Sequence, residues 1–318
     1  MTLAVDARGV RKEYGDLTAV EDLTFSVQQG EILGVLGPNG AGKTTAIRVL
    51  TTVLAPTRGT FSVAGVPHTR ASEIRLRIGV LPESAGYPER QTGREYLQYH
   101  ARLYGQSVRG ASATADELLR EVGLHERRNS SIDAYSRGMK QRLGIARALV
   151  NSPEVVFLDE PTLGLDPAGQ RQVLALVRRI ANQRGATVLL STHLLAEVEE
   201  TCTRVLILNR GRVAADGTVA EVSRLAAAPR SARLRVPQDS VREALQVLSQ
   251  ARGIKAAELA DGRPGALTLT LHDDPGRPPP SAVLCDLANG GVPVLAYELE
   301  GVRLSDAFLE MTEGSSND

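Results

Sequence analysis

The chain has 318 residues, 42% hydrophobic and 23% charged, and its 37 basic and 37 acidic side chains cancel to a formal net charge of zero. This is the composition of an ordinary globular protein long enough for two domains, with no global field to capture nucleic acid or anionic lipid, only local patches. Two cysteines, Cys202 and Cys285, lie far apart without ligand-type neighbours, which argues against a disulfide framework or zinc site and fits a reducing cytoplasm.

The opening "MTLAVDARGVRKEYG" meets an acid and an arginine too early for a signal peptide. No run approaches the ~18 apolar residues of a membrane helix, so a soluble chain is expected unless a partner carries it to a membrane. Short β-rich runs over 9–27 predict an antiparallel start. "GEILGVLG" (30–37) predicts a strand entering a glycine-rich turn, and "KTTAIRVLTTVL" (43–54) has apolar residues at helical spacing. Strands are expected at 59–65 and 77–83, and helices through most of 92–150. "VVFLDE" and "ATVLLST" (186–192) flank a predicted helix at 167–184, the βαβ pattern of a parallel sheet. "RVLILNRGRVAADG" (204–217) predicts a closing hairpin.

The small, prolyl and polar stretch 225–233 predicts a boundary between a domain over 1–226 and a second over 231–318. Beyond it the pattern is strand 232–237, helix 239–251, strands 253–260 and 265–271, helix 280–289 and strand 292–300. That β-α-β-β-α-β order predicts a small ferredoxin-like α+β module with an exposed loop at 272–280. A last helix over 305–312 is expected, with Ser305 as N-cap and an apolar face built from Leu304, Phe308, Leu309 and Met311.

"GPNGAGKT" (37–44) matches G-x-x-x-x-G-K-[ST] between a predicted strand and a predicted helix. Gly37, Gly40 and Gly42 let backbone N–H groups converge on phosphate oxygens, and the helix N-terminus adds its partial positive charge. Lys43 is expected to reach the β- and γ-phosphates, and Thr44 to place its hydroxyl on Mg²⁺. The stretch Gly37, Pro38, Asn39, Gly40, Ala41, Gly42, Lys43, Thr44 and Thr45 is therefore the expected ATP-binding loop. Two acids, Asp159 and Glu160, end the apolar run 155–158, where uncompensated charge is costly. A phosphate-bound cation resolves the conflict: Asp159 is expected to hold Mg²⁺, and Glu160 to act as general base on the attacking water.

"AYSRGMKQRLGIARAL" (134–149) narrows the class. Here the chain resembles the ATP-binding cassette (ABC) ATPases that drive ABC transporters. Tyr135, Ser136, Arg137, Gly138 and Met139 stand where the family has L-S-G-G-Q; Ser136 and Gly138 are kept, Arg137 and Met139 depart. The resemblance implies that Ser136, Arg137, Gly138 and Met139 meet ATP held by an opposite subunit. It also implies that Asp166 in "TLGLDP" reports across that dimer, that His193 contacts the γ-phosphate, and that Tyr14 stacks on adenine. In the loop 79–97 the family commonly has a glutamine on Mg²⁺; this chain has Glu83, and residues 84–100 would form much of the groove for a permease's coupling helix.

The resemblance covers residues 4 to about 226 and implies a parallel-sheet core, an antiparallel β subdomain and a helical subdomain. The tail, ending in "VRLSDAFLEMT", resembles the daunorubicin-resistance and multidrug-export branch. By resemblance, ATP and Mg²⁺ are the cofactors. The resemblance also implies as partners a second ATPase subunit, as a homodimer, and an integral-membrane permease, with no nucleic acid, at the cytoplasmic face of the membrane. An importer ATPase or a regulatory ABC protein remains open. A translation factor of the family would carry two cassettes, and a repair protein a long coiled-coil insertion.

Overall fold

In a computed structural model of the chain, the described residues are 3–84, 86–88, 90–225, 231–251, 253–260, 264–271 and 281–300, with Leu304, Phe308, Met311 and Thr312. They divide into two compact units, Met1–Val219 and Ala220–Asp318. The division falls a few residues earlier than the sequence suggests, at the start of the helix Val219–Leu225.

In the first unit, strands β1 (Leu3–Tyr14) and β2 (Leu17–Gln28) pair antiparallel, and β3 (Ile32–Leu36) leads into helix α1 (Lys43–Leu50). The short strands β4 (Arg58–Val63) and β5 (Val66–Pro67) extend the antiparallel part, and α2 (Ala71–Arg77) precedes β6 (Ile78–Leu81). Three helices follow: α3 (Gly93–Leu103), α4 (Val108–Glu121) and α5 (Arg137–Ala148). The chain then returns to the sheet as β7 (Val155–Asp159), α6 (Pro167–Arg184), β8 (Thr187–Thr192), α7 (Leu195–Thr201) and the hairpin of β9 (Arg204–Asn209) and β10 (Arg212–Thr218). All ten strands join one sheet in the order β5-β4-β1-β2-β10-β9-β3-β8-β7-β6. The pairs β9–β3, β3–β8, β8–β7 and β7–β6 are parallel.

Helices cover both faces of this parallel part, so β3 and β7 are buried at every position. Phe157, Leu158, Leu189 and Leu190 expose no surface, and each such side chain contributes about 1.5–3 kcal/mol by leaving water. Local chemistry sets the helix limits. Asp166 caps α6 by accepting the N–H of Gly169 at 3.1 Å, Pro167 occupies its first turn, and Gly185 ends it at φ 63°. Thr92 and Glu95 form a reciprocal capping box at the start of α3.

Register is what builds the site. Leu36 lies opposite Thr192, and Asp159 opposite Ser191. The carboxyl ends of β3, β7 and β8 therefore finish level with one another, where open α/β sheets bind ligands.

The second unit begins one residue into α8 (Val219–Leu225) and continues as β11 (Ser231–Arg235), α9 (Val241–Leu248), β12 (Ile254–Leu259), β13 (Ala266–Leu271), α10 (Ala282–Asn289) and β14 (Ala296–Glu300). Its antiparallel sheet runs β12-β13-β11-β14, the order of a ferredoxin-like module, over a core of Leu234, Leu248, Leu267, Leu269 and Leu287. The expected loop 272–280, Ser305 and Leu309 lie outside the described residues; Leu304, Phe308, Met311 and Thr312 are helical, and Leu304 is buried. No helix among the described residues is long and apolar enough to cross a membrane.

Candidate functional site

The loop between β3 and α1 wraps around the side chain of Lys43, which is only 6% exposed. Its ammonium donates to the carbonyls of Gly37 at 2.8 Å and Pro38 at 3.3 Å. Gly42 takes φ 102°, and a Cβ there would lie 2.5 Å from the Ala19 carbonyl oxygen, so no side chain fits. Gly42 also caps α1 without any side-chain acceptor, and α1 has no acid in its first turn. The first N–H groups of α1 thus present positive charge to the loop, the arrangement that holds phosphate.

The acid pair ends β7 beside this loop. Asp159, 2% exposed, accepts on Oδ1 from the Ser191 hydroxyl at 2.6 Å and from the Thr44 hydroxyl at 3.2 Å. Glu160 leaves strand geometry at φ 48°. Its Oε1 lies 3.5 Å from the Lys43 ammonium and its Oε2 2.9 Å from His193 Nδ1. Burial of the two acids is thus offset by hydroxyl donors on one and a lysine with an imidazole on the other.

Lys43, Thr44, Glu160 and His193 line an open cleft of about 600 Å³ together with Asn39, Gly40, Ala41, Gly42 and Thr45 of the loop. Tyr14 and Glu83 line the same cleft; Tyr14 is 43% exposed, with the Lys12 ammonium 5.3 Å from its ring centre.

The predicted signature residues Ser136, Arg137, Gly138 and Met139, with Asp166, are not among the residues lining this cleft. Ser136 caps α5, its hydroxyl accepting the Met139 N–H at 3.3 Å. The Arg137 guanidinium lies against Gly164, so within one chain the signature touches the loop that carries Asp166. Sequence reasoning missed Ser191. Its signal was its place in "LLSTHLL", two residues before His193 on a strand expected beside Asp159.

The ABC transporter family profile matches residues 20–163. The daunorubicin/doxorubicin resistance ATP-binding protein DrrA of Streptomyces peucetius is 37% identical over 321 aligned positions, covering all of this chain and 94% of that one. The chain belongs to the ABC transporter ATPase family. The daunorubicin resistance ATP-binding protein DrrA3 of Streptomyces coeruleorubidus is 44% identical over 220 residues, 69% of each chain. A solved ATP-binding subunit of an ABC transporter is 35% identical with a TM-score of 0.63, over 70% of this chain and 93% of that one. This ABC protein is an ATPase, binding ATP and hydrolysing it to ADP and phosphate. Its cassette is the unit that holds the cleft, and ABC cassettes dimerise and work with a membrane permease.

Proposed function

We propose that this ABC ATPase powers export of amphipathic, drug-like small molecules through a separate permease, as a homodimer of cassettes at the cytoplasmic face of the membrane. One observation carries the reading. The daunorubicin/doxorubicin resistance protein aligns with the whole chain, the second unit included, rather than with the cassette alone.

In the proposed cycle Tyr14 stacks on adenine, and the amides of residues 37–45 hold the phosphates. Lys43, 3.5 Å from Glu160, directs its charge to the β- and γ-phosphates. The Thr44 hydroxyl and the Asp159 carboxylate, 3.2 Å apart, are hard oxygen donors of the kind that suit Mg²⁺, and Glu83 adds a third oxygen ligand from the same cleft. A Mg²⁺ held there would supply positive charge to offset that of the phosphates. Glu160 takes the proton of the attacking water, and His193, already 2.9 Å from Glu160, holds the γ-phosphate side of the site. Ser136, Arg137, Gly138 and Met139 close over the nucleotide of the opposite cassette, and Asp166 couples the two. ATP stabilises the closed dimer, hydrolysis releases it, and the permease follows.

The test is transport. Expressed with a permease that co-purifies with it, the ATPase should drive ATP-dependent accumulation of daunorubicin in inside-out membrane vesicles, abolished by Lys43→Ala. No accumulation, or ATP-dependent movement in the opposite direction, would overturn the export reading.

A further inference from the structure

We propose that Ser191 is a positioning residue that sets both acids of the site through one hydroxyl. The proposal rests on the reading of Asp159 as the Mg²⁺-holding acid and Glu160 as the general base.

Ser191 exposes no surface and lies opposite Asp159 in the β7–β8 pairing. Its hydroxyl donates to Asp159 Oδ1 at 2.6 Å and accepts the backbone N–H of Glu160 at 2.9 Å. A serine hydroxyl has one proton. Here that proton goes to Asp159 while a lone pair faces Glu160, so Ser191 serves as a bridge rather than as a nucleophile or metal ligand.

Each end of the bridge controls a different group. Asp159 Oδ1 is held between the hydroxyls of Ser191, from β8, and Thr44, from α1, which fixes the rotation of the carboxylate that faces the phosphate loop. Outer partners of this kind orient a metal's ligands, and removing one typically costs about 10- to 100-fold in metal affinity or activity. Glu160 has the left-handed φ of 48°, a conformation that costs a residue with a side chain about 1–2 kcal/mol. That turn carries its carboxylate out of the strand's alternation to Lys43 and His193. The Ser191 oxygen is the acceptor that holds the Glu160 N–H in this turn. Without it a buried donor is left unpaired, and the backbone gains by relaxing away from the working geometry.

The experiment compares Ser191→Ala and the near-isosteric Ser191→Cys, whose sulfur keeps the volume but accepts and donates weakly. Turnover is measured across ATP and Mg²⁺ titrations, and ATP affinity is measured without Mg²⁺. Both variants should lose about 10- to 100-fold in kcat, with KM for ATP nearly unchanged and a higher Mg²⁺ concentration at half-maximal rate. Metal-free ATP affinity should stay near the parent value, because the Gly37 and Pro38 carbonyls still hold Lys43 in its loop. Added to Glu160→Gln at saturating Mg²⁺, Ser191→Cys should slow turnover by much less than it slows the parent, since the part acting through Glu160 is already lost, yet the part acting through Asp159 should still raise the Mg²⁺ needed for tight ATP binding. Parent-like kcat and Mg²⁺ dependence in a folded Ser191→Cys protein would overturn the proposal, as would full additivity with Glu160→Gln. Normal turnover by Glu160→Gln alone would instead sink the reading of the base. A slow Glu160→Gln protein beside normal Ser191 variants would sink the role of Ser191 only.

Discussion

Tyr87 ties the loop carrying Glu83 to the signature helix, and its loss should be measurable as a coupled defect. Its hydroxyl donates to the Lys140 carbonyl of α5 at 2.7 Å, its ring sits 5.7 Å from that of Tyr96, and burial pushes its pKa up to about 12. The fit against α5 depends on Gly144, where a Cβ would lie 2.6 Å from both the Tyr87 oxygen and Leu81 Cδ1. Tyr87→Phe removes one hydrogen bond, worth about 1 kcal/mol, or about 2–4 °C in the melting of a unit this size. Gly144→Ala introduces overpacking of about 2 kcal/mol, while alanine's better helix propensity returns about 1 kcal/mol, for a net loss of about 1 kcal/mol. In Tyr87→Phe the oxygen is absent, only Leu81 must move, and the same Gly144→Ala change should cost close to nothing. Thermal unfolding of the nucleotide-free chain should therefore place the double variant level with Tyr87→Phe alone. Additive losses in the double variant would refute this account of how the loop is tied to α5.

Other consequences can be checked separately. Glu83→Ala should raise the Mg²⁺ concentration needed for ATP turnover, with Glu83→Gln milder; unchanged titrations for both would make Glu83 an ordinary exposed acid. Burial, helped by Glu197, raises the Cys202 thiol to about 12 from 9.0, which cuts its thiolate fraction near pH 8 about 1,000-fold, whereas Cys285 is exposed. An aromatic disulfide reagent at pH 8 should thus titrate the exposed thiol of the folded chain quickly and the partly buried Cys202 far more slowly; equal rates would contradict that difference. A 1–228 fragment should stay soluble and bind ATP with the parent's affinity while dimerising or assembling with the permease less well. Loss of ATP binding by the folded fragment would refute the domain boundary, and unchanged assembly would refute the role given to the tail.

Local chemistry was legible in the chain and nonlocal hydrogen bonding was not. Helix α6 follows from "DP" before it and Gly185 after it, because cap, proline and glycine act within a few residues of one another. The strands of the parallel core follow from short apolar runs such as 155–158, since only a strand covered on both faces buries every side chain. The spacing of 37–44 and the acids at the end of 155–158 point to a phosphate loop and an acid pair because that chemistry demands those residues at those places. Helix α7 carries no such signal: Leu194 offers it no side-chain cap, and its acidic sequence "LAEVEET" shows a weak apolar stripe. The joining of the antiparallel strands to the parallel core through Arg212 and Asp22 depends on a pairing 190 positions apart, which no local pattern announces. The same holds for the bridge from Ser191 to Asp159 and Glu160, made across 31 and 32 positions, and for the left-handed turn of Glu160 that it stabilises.

In the proposed cycle Glu160, held between Lys43 and His193, is the base of an ATP-sandwich dimer. The most direct test of that role is Glu160→Gln, assayed for ATP turnover and for mass in solution with saturating Mg·ATP. The amide keeps the side chain's size but cannot take the proton, so turnover should fall at least ~100-fold while the protein accumulates as an ATP-bound dimer. Turnover near the parent rate, or a protein that stays monomeric with ATP bound, would contradict the account.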